Sequence, residues 1–361
     1  MKFAIQNYGC QMNVNTADKI RNRLLSFGWV ECQPTDTPNA IIFNTCCVRD
    51  TAEQKILSHI ALAGKQKGKN TVIAVIGCLA EKDKDKLRKK MPYIDIIIGT
   101  KNAESVVDAI MQHHVDHTTT TPFTTPVAAA VKDIAYIDIT FGCENYCSYC
   151  IVPFVRGKLV SRPLHDIIAE FNEVKDNAKT IMLLGQNVNE YYDHETHTDF
   201  ANLLNILCKI DGDFKINFLS AHPKDFNEKI IKTIAQNDKI AKDIHLPIQS
   251  GCDKILKLMN RQYTVAEYKQ KVALLRKYLP DVHITTDIIC GFPTETDDDF
   301  ENTVQTVREI KFDSAYIFPY SNRSGTVADK MDGQIPAAIK KARTTKLINI
   351  MRKTATAKRD K

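Results

Sequence analysis

Phe141-Gly142-Cys143-Glu144-Asn145-Tyr146-Cys147-Ser148-Tyr149-Cys150 places three cysteines within eight residues, at spacing C-x3-C-x2-C. The residues before it, Asp133-Ile134-Ala135-Tyr136-Ile137-Asp138-Ile139-Thr140, alternate and are rich in β-branched side chains, which predicts a strand. The cysteines then occupy a loop at the carboxyl end of that strand, the end where α/β sheets bind ligands. Three neighbouring thiols in a chain with no disulfide framework read first as metal ligands.

The spacing narrows the metal. A closed structural zinc site takes four ligands, usually from two C-x2-C pairs. Here one C-x2-C carries a third cysteine upstream, and the first histidine downstream is His165. A [4Fe–4S] cluster on three cysteines has one iron open to a small molecule. Structural zinc is the competing reading. C-x3-C-x2-C with an aromatic before its last cysteine, here Tyr149, resembles the signature of the radical S-adenosylmethionine (SAM) enzymes. That resemblance implies SAM on the open iron of a cluster held by Cys143, Cys147 and Cys150, cleaved to a 5′-deoxyadenosyl radical.

A chain of 361 residues with 43% hydrophobic and 25% charged residues has the composition of a globular protein of two or three domains. Met1-Lys2-Phe3 opens no signal peptide, and no apolar run approaches membrane-spanning length, so a cytoplasmic location is expected. In that compartment the 11 cysteines are not a disulfide framework. The net charge of +6 suits an anionic partner or a solvated surface equally.

Residues 1–112 read as a first α/β domain. Strands are expected at Phe3–Tyr8, Ala40–Asn44 and Thr71–Ile76, with a helix opening at Asn15-Thr16-Ala17-Asp18. Strands alternating with helices imply a parallel, Rossmann-like sheet. Cys10, Cys46 and Cys78 each lie just past the end of one of these strands, and such ends open on one crevice. They are predicted to converge as a second three-thiolate site; the alternative is three ordinary core cysteines. Cys47 should face away from Cys46 if the backbone there is still extended, and is read as a non-ligand. Residues 113–130, polar and Pro-punctuated, read as a linker containing His113, His114 and His117.

From 131 to 336, strands are expected at Asp133–Thr140, Thr180–Leu184, Lys215–Leu219, Ile244–Ile248, Val282–Ile289 and Phe312–Phe318. Six strand–helix units suggest an open (β/α)6 partial barrel, with polar turns gathered on its carboxyl face.

The motifs then become specific. Gly9-Cys10-Gln11-Met12-Asn13, Asn44-Thr45-Cys46 and Gly77-Cys78 resemble the N-terminal motifs of the radical SAM methylthiotransferases. So do Arg156-Gly157-Lys158, Ser161-Arg162-Pro163, Leu184-Gly185-Gln186-Asn187, His245-Leu246-Pro247-Ile248-Gln249, Gly291-Phe292-Pro293 and Tyr320-Ser321-Asn322-Arg323. The resemblance runs from residue 2 to about 343, and Gly9-Cys10-Gln11-Met12-Asn13 and Leu184-Gly185-Gln186-Asn187-Val188-Asn189 are similar to the MiaB type.

It implies two [4Fe–4S] clusters and SAM as cofactors. The cluster on Cys143, Cys147 and Cys150 would make the radical, and an auxiliary cluster on Cys10, Cys46 and Cys78 would carry the sulfur. The reaction implied is methylthiolation of carbon 2 of isopentenyl-adenosine at tRNA position 37, with no side chain as catalyst. The same chemistry on threonylcarbamoyl-adenosine at that position, or on a ribosomal-protein aspartate, is the alternative within the family. A metal-stapled RNA-binding scaffold is the alternative outside it.

The partners implied are the tRNA anticodon loop, an electron donor such as a flavodoxin or ferredoxin, and a sulfur donor. Tyr149, Gln186, Asn187, His222, Gln249 and Arg323 are expected as SAM contacts, with turn-stabilising hydrogen bonds as the plainer role. Arg156 and Arg162 are expected on RNA phosphate, and Lys158 on the solvated surface. The chain departs from the family pattern at Ala221 (usually Ser) and Thr294 (usually Gly). Residues 337–361 read as a basic helical tail where the family has a TRAM domain.

Overall fold

The computed structural model describes residues 1–47, 50–115 and 132–359. The chain divides into two compact units, Met1–Val131 with Ile151–Gly157, and Lys132–Cys150 with Lys158–Lys361.

The first unit is built on a parallel sheet of order β2-β1-β3-β4-β5: β1 (Lys2–Asn7), β2 (Val30–Glu31), β3 (Ala40–Thr45), β4 (Val72–Gly77) and β5 (Ile96–Ile98). Around it run α1 (Gln11–Ser26), α2 (Asp50–Lys65), α3 (Cys78–Lys90) and α4 (Val106–Val115). Every residue of β3 and β4 is buried, as expected for central strands covered on both faces. Alternation sorts their side chains. Ala40, Ile42, Val72 and Ala74 pack with Ile20, Leu24, Val107 and Ile110 of α1 and α4. Ile41, Phe43, Ile73 and Val75 pack with Ile56, Ile60 and Leu87 of α2 and α3.

Helix α1 starts four residues earlier than the sequence suggests. Cys10 is its N-cap, with an extended backbone, instead of lying in a free turn. His113 and His114 belong to the last turn of α4 and not to a linker. His114 is buried against Trp29, with ring centroids 5.4 Å apart. Residues 116–131, which include His117 and most of the expected linker, lie outside the described residues. The short α5 (Val152–Arg156) also belongs to this unit.

The second unit carries two parallel three-stranded sheets. One has order β12-β9-β6, with β6 (Lys132–Asp138), β9 (Ala178–Leu184) and β12 (Lys215–Phe218). The other has order β13-β14-β15, with β13 (Asp243–His245), β14 (His283–Cys290) and β15 (Ser314–Pro319). A parallel bridge between Ile216 and Ile240 continues one sheet toward the other, giving the six parallel strands of a partial barrel. A small hairpin of β7 (Thr140–Phe141) and β8 (Val160–Ser161) follows β6. Helices α6 (Leu164–Val174), α7 (Phe200–Cys208), α8 (Glu228–Gln236), α9 (Asp253–Leu258), α10 (Val265–Tyr278) and α11 (Asp297–Ile310) intervene between strands. The strands and these helices share one core, in which Ile181, Leu183, Ile216, Ile244 and Ile284 are fully buried. Thr264 with Glu267 and Thr296 with Asp299 form capping boxes that fix where α10 and α11 begin.

The last helix, α12 (Ala337–Arg359), falls where the basic helical stretch is expected and is part of this unit. Leu347 and Met351 enter the shared core. Arg343 is buried and donates to Glu295, itself 3% exposed, at 2.7 Å. Breaking a buried ion pair from one side leaves an uncompensated charge and costs about 3–5 kcal/mol. Arg343→Ala should therefore destabilise the unit by about 3 kcal/mol, read as a lower denaturant midpoint. An unchanged midpoint would mean the pair contributes nothing.

Thr294 has φ 68°, in the left-handed region where a Cβ is strained. A glycine would take this conformation without that strain.

Candidate metal and cofactor centres

In the second unit, Gly142 (φ 73°) turns the chain out of β7 into the cysteine loop. The loop is held at both ends of its polar run. Ser148 Oγ donates to the Leu258 carbonyl at 2.7 Å, and Asn260 Nδ2 donates to the carbonyls of Asn145 and Tyr146. Cys150 N–H closes a turn onto the Cys147 carbonyl at 2.8 Å. Cys143, Cys147 and Cys150 are each partly exposed.

Two sulfurs already receive donors: Asn145 Nδ2 reaches Cys143 Sγ at 3.5 Å, and Arg261 Nη1 reaches Cys147 Sγ at 3.4 Å. Burial pushes the Cys143 thiol up, so deprotonation there calls for a compensating cation or metal. Among the described residues no three His, Cys, Asp or Glu side chains converge as ligands to a single ion. A closed zinc site takes four ligands, whereas in a four-iron cluster each of three thiolates holds its own iron.

Beside the loop, at the carboxyl ends of β6, β9 and β12, lies a crescent of buried polar groups. Asn187 Nδ2 donates to Asp225 Oδ2 at 2.8 Å, and the backbone N–H of Lys224 donates to His222 Nδ1 at 3.2 Å. Lys224 Nζ spans from Asn145 Oδ1 (2.7 Å) to Glu190 Oε1 (3.2 Å), which ties the crescent to the cysteine loop. Asn187 Oδ1, both polar atoms of Asn189, Glu190 Oε2, Tyr191 Oη, Thr140 Oγ1 and His222 Nε2 are buried without a hydrogen bond in the protein. Orphaned buried groups are rare, and so many together mark a place that a polar ligand completes. Donors and acceptors are both present, as a molecule with amino, carboxylate and ribose groups requires. Gly185 makes the approach possible, since a Cβ there would meet Thr140 Oγ1 at 2.0 Å. Burial, and then the charges of Arg261, Lys224 and Lys271, push His222 down to about 2, so its imidazole is neutral; with Nδ1 accepting from Lys224, the unpartnered Nε2 carries the proton and offers a donor.

The other expected SAM contacts divide. Tyr149 Oη meets Arg261 Nη1 at 3.5 Å. Gln249 sits at φ 67° with its backbone paired to Asp287 and Ile289. Arg323 Nη1 donates to Ser321 Oγ and to the Asn322 carbonyl, closing its own turn. Arg162, expected on RNA phosphate, donates instead to the Asp138 carbonyl at 2.7 Å and to Glu170. Its position beside a buried strand end makes it a brace.

In the first unit, Cys10, Cys46 and Cys78 follow β1, β3 and β4, three neighbouring parallel strands. Gly9 (φ 131°) lets the first two approach, since a Cβ there would lie 2.8 Å from Cys46 Cβ. Gly77 (φ 93°) does the same for the third, with the Thr45 carbonyl 2.5 Å from where its Cβ would stand. Asn13 knits the rims, donating from Nδ2 to the carbonyls of Tyr8 and Thr45 and to Asn44 Oδ1; Cys10 Sγ lies 3.6 Å from its Oδ1.

Arg156, expected on RNA, turns inward. Its Nη2 donates to Asn13 Oδ1 at 3.3 Å, and its Nη1 lies 3.4 Å from Met12 Sδ. A hydrogen bond from Cys47 pulls Cys78 down to about 6 against the opposing effect of burial, with help from the Arg156 charge. The thiol is thus readied as a thiolate, the ligating form. Cys47 does not face away. β3 ends at Thr45, so strand alternation has lapsed, and Cys47 is buried with Cys78, Ile151 and Val155. Its own thiol is pushed up by the bond to Cys78 and by burial. Cys47→Ser should leave the iron content of the reconstituted protein unchanged; loss of iron would make Cys47 a ligand.

Asn13, Asn145, Lys224 and Arg261 are the groups that sequence reasoning missed. Asn13 and Asn145 lie inside the cysteine motifs and were within reach. Lys224 and Arg261 act only through tertiary packing.

Residues 137–307 match the family model of the radical SAM superfamily, and residues 2–99 match uncharacterized protein family UPF0004. The chain is 40% identical over 364 residues to the tRNA-2-methylthio-N(6)-dimethylallyladenosine synthase of Fusobacterium nucleatum subsp. nucleatum, covering 98% of this chain and 84% of that protein. It is 41% identical over 356 residues to the protein of that name from Thermodesulfovibrio yellowstonii, covering 96% and 82%. Among solved structures, the cobalamin-dependent SAM radical enzyme OxsB superposes over 98% of this chain and 56% of its own, at TM-score 0.58 and 12% identity, a likeness of fold alone. The barrel and its cysteine loop are thus those of the radical SAM class. Within that class the chain belongs to the MiaB-type methylthiotransferases.

Proposed function

We propose that this protein is a tRNA methylthiotransferase acting at carbon 2 of isopentenyl-adenosine at position 37, working in the cytoplasm. The observation that carries this reading is the 40% identity over 98% of the chain to a tRNA-2-methylthio-N(6)-dimethylallyladenosine synthase. Carbon 2 of adenine bears an unreactive C–H with no acid–base route to substitution, so cofactors carry the reaction. When bound, SAM and two [4Fe–4S] clusters supply the one-electron chemistry that removes this hydrogen, and the sulfur and methyl that replace it.

The chain's own groups bind and orient. Cys143, Cys147 and Cys150 would hold one cluster, with Asn145 donating to the Cys143 sulfur and Arg261 to the Cys147 sulfur. Asn187, Asn189, Glu190 and His222 would hold SAM, and Lys224 fixes their crescent to the cysteine loop. Cys10, Cys46 and Cys78 would hold the second cluster, with Asn13 and Arg156 bracing the strand ends that carry them. The electron comes from a flavodoxin or ferredoxin, and the sulfur is replenished by a separate donor protein.

The test is anaerobic incubation of the reconstituted protein with SAM, reductant and tRNA that carries isopentenyl-adenosine but no methylthio group, followed by mass spectrometry of the nucleosides. The expected result is a methylthio-isopentenyl-adenosine peak together with 5′-deoxyadenosine. A product only with threonylcarbamoyl-adenosine tRNA would move the substrate. No 5′-deoxyadenosine at all would leave a metal-stapled scaffold.

A further inference from the structure

Arg261 is 4% exposed, and among the described residues it forms no ion pair with a carboxylate. Its Nε donates to Tyr263 Oη at 3.0 Å and its Nη2 to the Pro247 carbonyl at 3.0 Å. The guanidinium carbon stands 5.3 Å from the centre of the Tyr263 ring. The remaining nitrogen, Nη1, faces Cys147 Sγ at 3.4 Å and Tyr149 Oη at 3.5 Å. A guanidinium taken out of water without a counter-charge costs several kcal/mol, and proteins pair such groups. The chain nonetheless buries this one and holds it by three sides: a carbonyl, a phenol and a ring face. The side left over points at a cysteine sulfur. The counter-charge belongs on that side.

We infer that Arg261 is the counter-cation of the thiolate-held cluster at Cys147, a positioning residue that raises the midpoint potential at which that cluster accepts its electron. The inference rests on the radical SAM reading above. One electron passes from an external low-potential donor to the cluster, whose charge becomes more negative by one. No proton moves, because the guanidinium stays protonated throughout. A fixed positive charge in a low-dielectric site favours the more negative member of the couple. Its loss leaves the cluster harder to reduce. Arginine suits the task because its planar fork reaches the Pro247 carbonyl, Tyr263 and Cys147 at once, which a lysine cannot do.

The experiment is a redox titration followed by electron paramagnetic resonance, on the full chain carrying Cys10→Ala, Cys46→Ala and Cys78→Ala, so that one cluster is observed. Arg261→Met should load iron normally and show an about tenfold lower ratio of reduced to oxidised cluster at a fixed poise, a midpoint about 59 mV lower for a one-electron couple. Arg261→Lys should recover most of that shift. Arg261→Gln keeps a donor for the Pro247 carbonyl and should shift as the methionine variant does. Midpoints that match wild type in both neutral variants would overturn the inference. If neither neutral variant loads iron, a lysine variant that does load supports the need for charge, and a lysine variant that also fails reduces Arg261 to packing. A wild-type signal that does not respond to SAM would overturn the radical SAM reading itself; a wild type that responds beside an unshifted Arg261→Met overturns the role of Arg261 alone.

Discussion

Replacing Cys10, Cys46 and Cys78 together by alanine should abolish the methylthio product while leaving reductive cleavage of SAM intact. The two cysteine groups belong to different compact units, one at the ends of β1, β3 and β4, the other in the loop after β7. Each unit has its own core, so removing three thiols from the first does not unpack the second. The cluster loop keeps its anchors on Leu258 and Asn260, and the polar crescent keeps Lys224. 5′-Deoxyadenosine should therefore still form from SAM and reductant at a rate near that of wild type. Isopentenyl-adenosine in tRNA should remain unmodified at carbon 2. Quantifying both products from one reaction makes the check. Loss of both would mean the first unit's cysteines serve the radical step, and retention of both would make them ordinary core residues.

The converse change should be more severe. Cys147→Ala removes the central thiol of C-x3-C-x2-C and the sulfur that Arg261 faces. Two ligands do not hold a site-differentiated cluster. The substitution also leaves the buried Arg261 guanidinium with no anionic neighbour, a further cost of several kcal/mol to the loaded state. Neither 5′-deoxyadenosine nor the methylthio product should appear above background, while the first unit keeps about four irons. A Cys147→Ala protein that still cleaves SAM would exclude this loop as the radical-generating site.

The sequence was informative where a strand ends in a residue with a single chemical use. Alternating and all-apolar segments located the sheet strands, and Gly9-Cys10, Thr45-Cys46 and Gly77-Cys78 then fell at their carboxyl ends by register alone. Side-chain direction beyond a strand end is not written in any period. Arg156 and Arg162 carry the same charge in sequence whether they meet phosphate or a neighbouring carbonyl, and both turn inward. Cys47 would oppose Cys46 on a continuing strand, but the strand stops first. The helix of α12 is legible in its sequence, but its basic residues look alike there, and only the structure shows Arg343 buried on Glu295. Arg261 was the least legible. It is one arginine in a polar turn, and its meaning comes only from the packing of that turn against the cysteine loop.

Two separate sets of three cysteines should hold two clusters on this chain. Iron and sulfide per chain after anaerobic reconstitution test it most directly, in wild type and in the two triple alanine variants. About eight irons are expected in wild type and about four in each variant. About four irons in wild type, all lost on removing Cys143, Cys147 and Cys150, would contradict it.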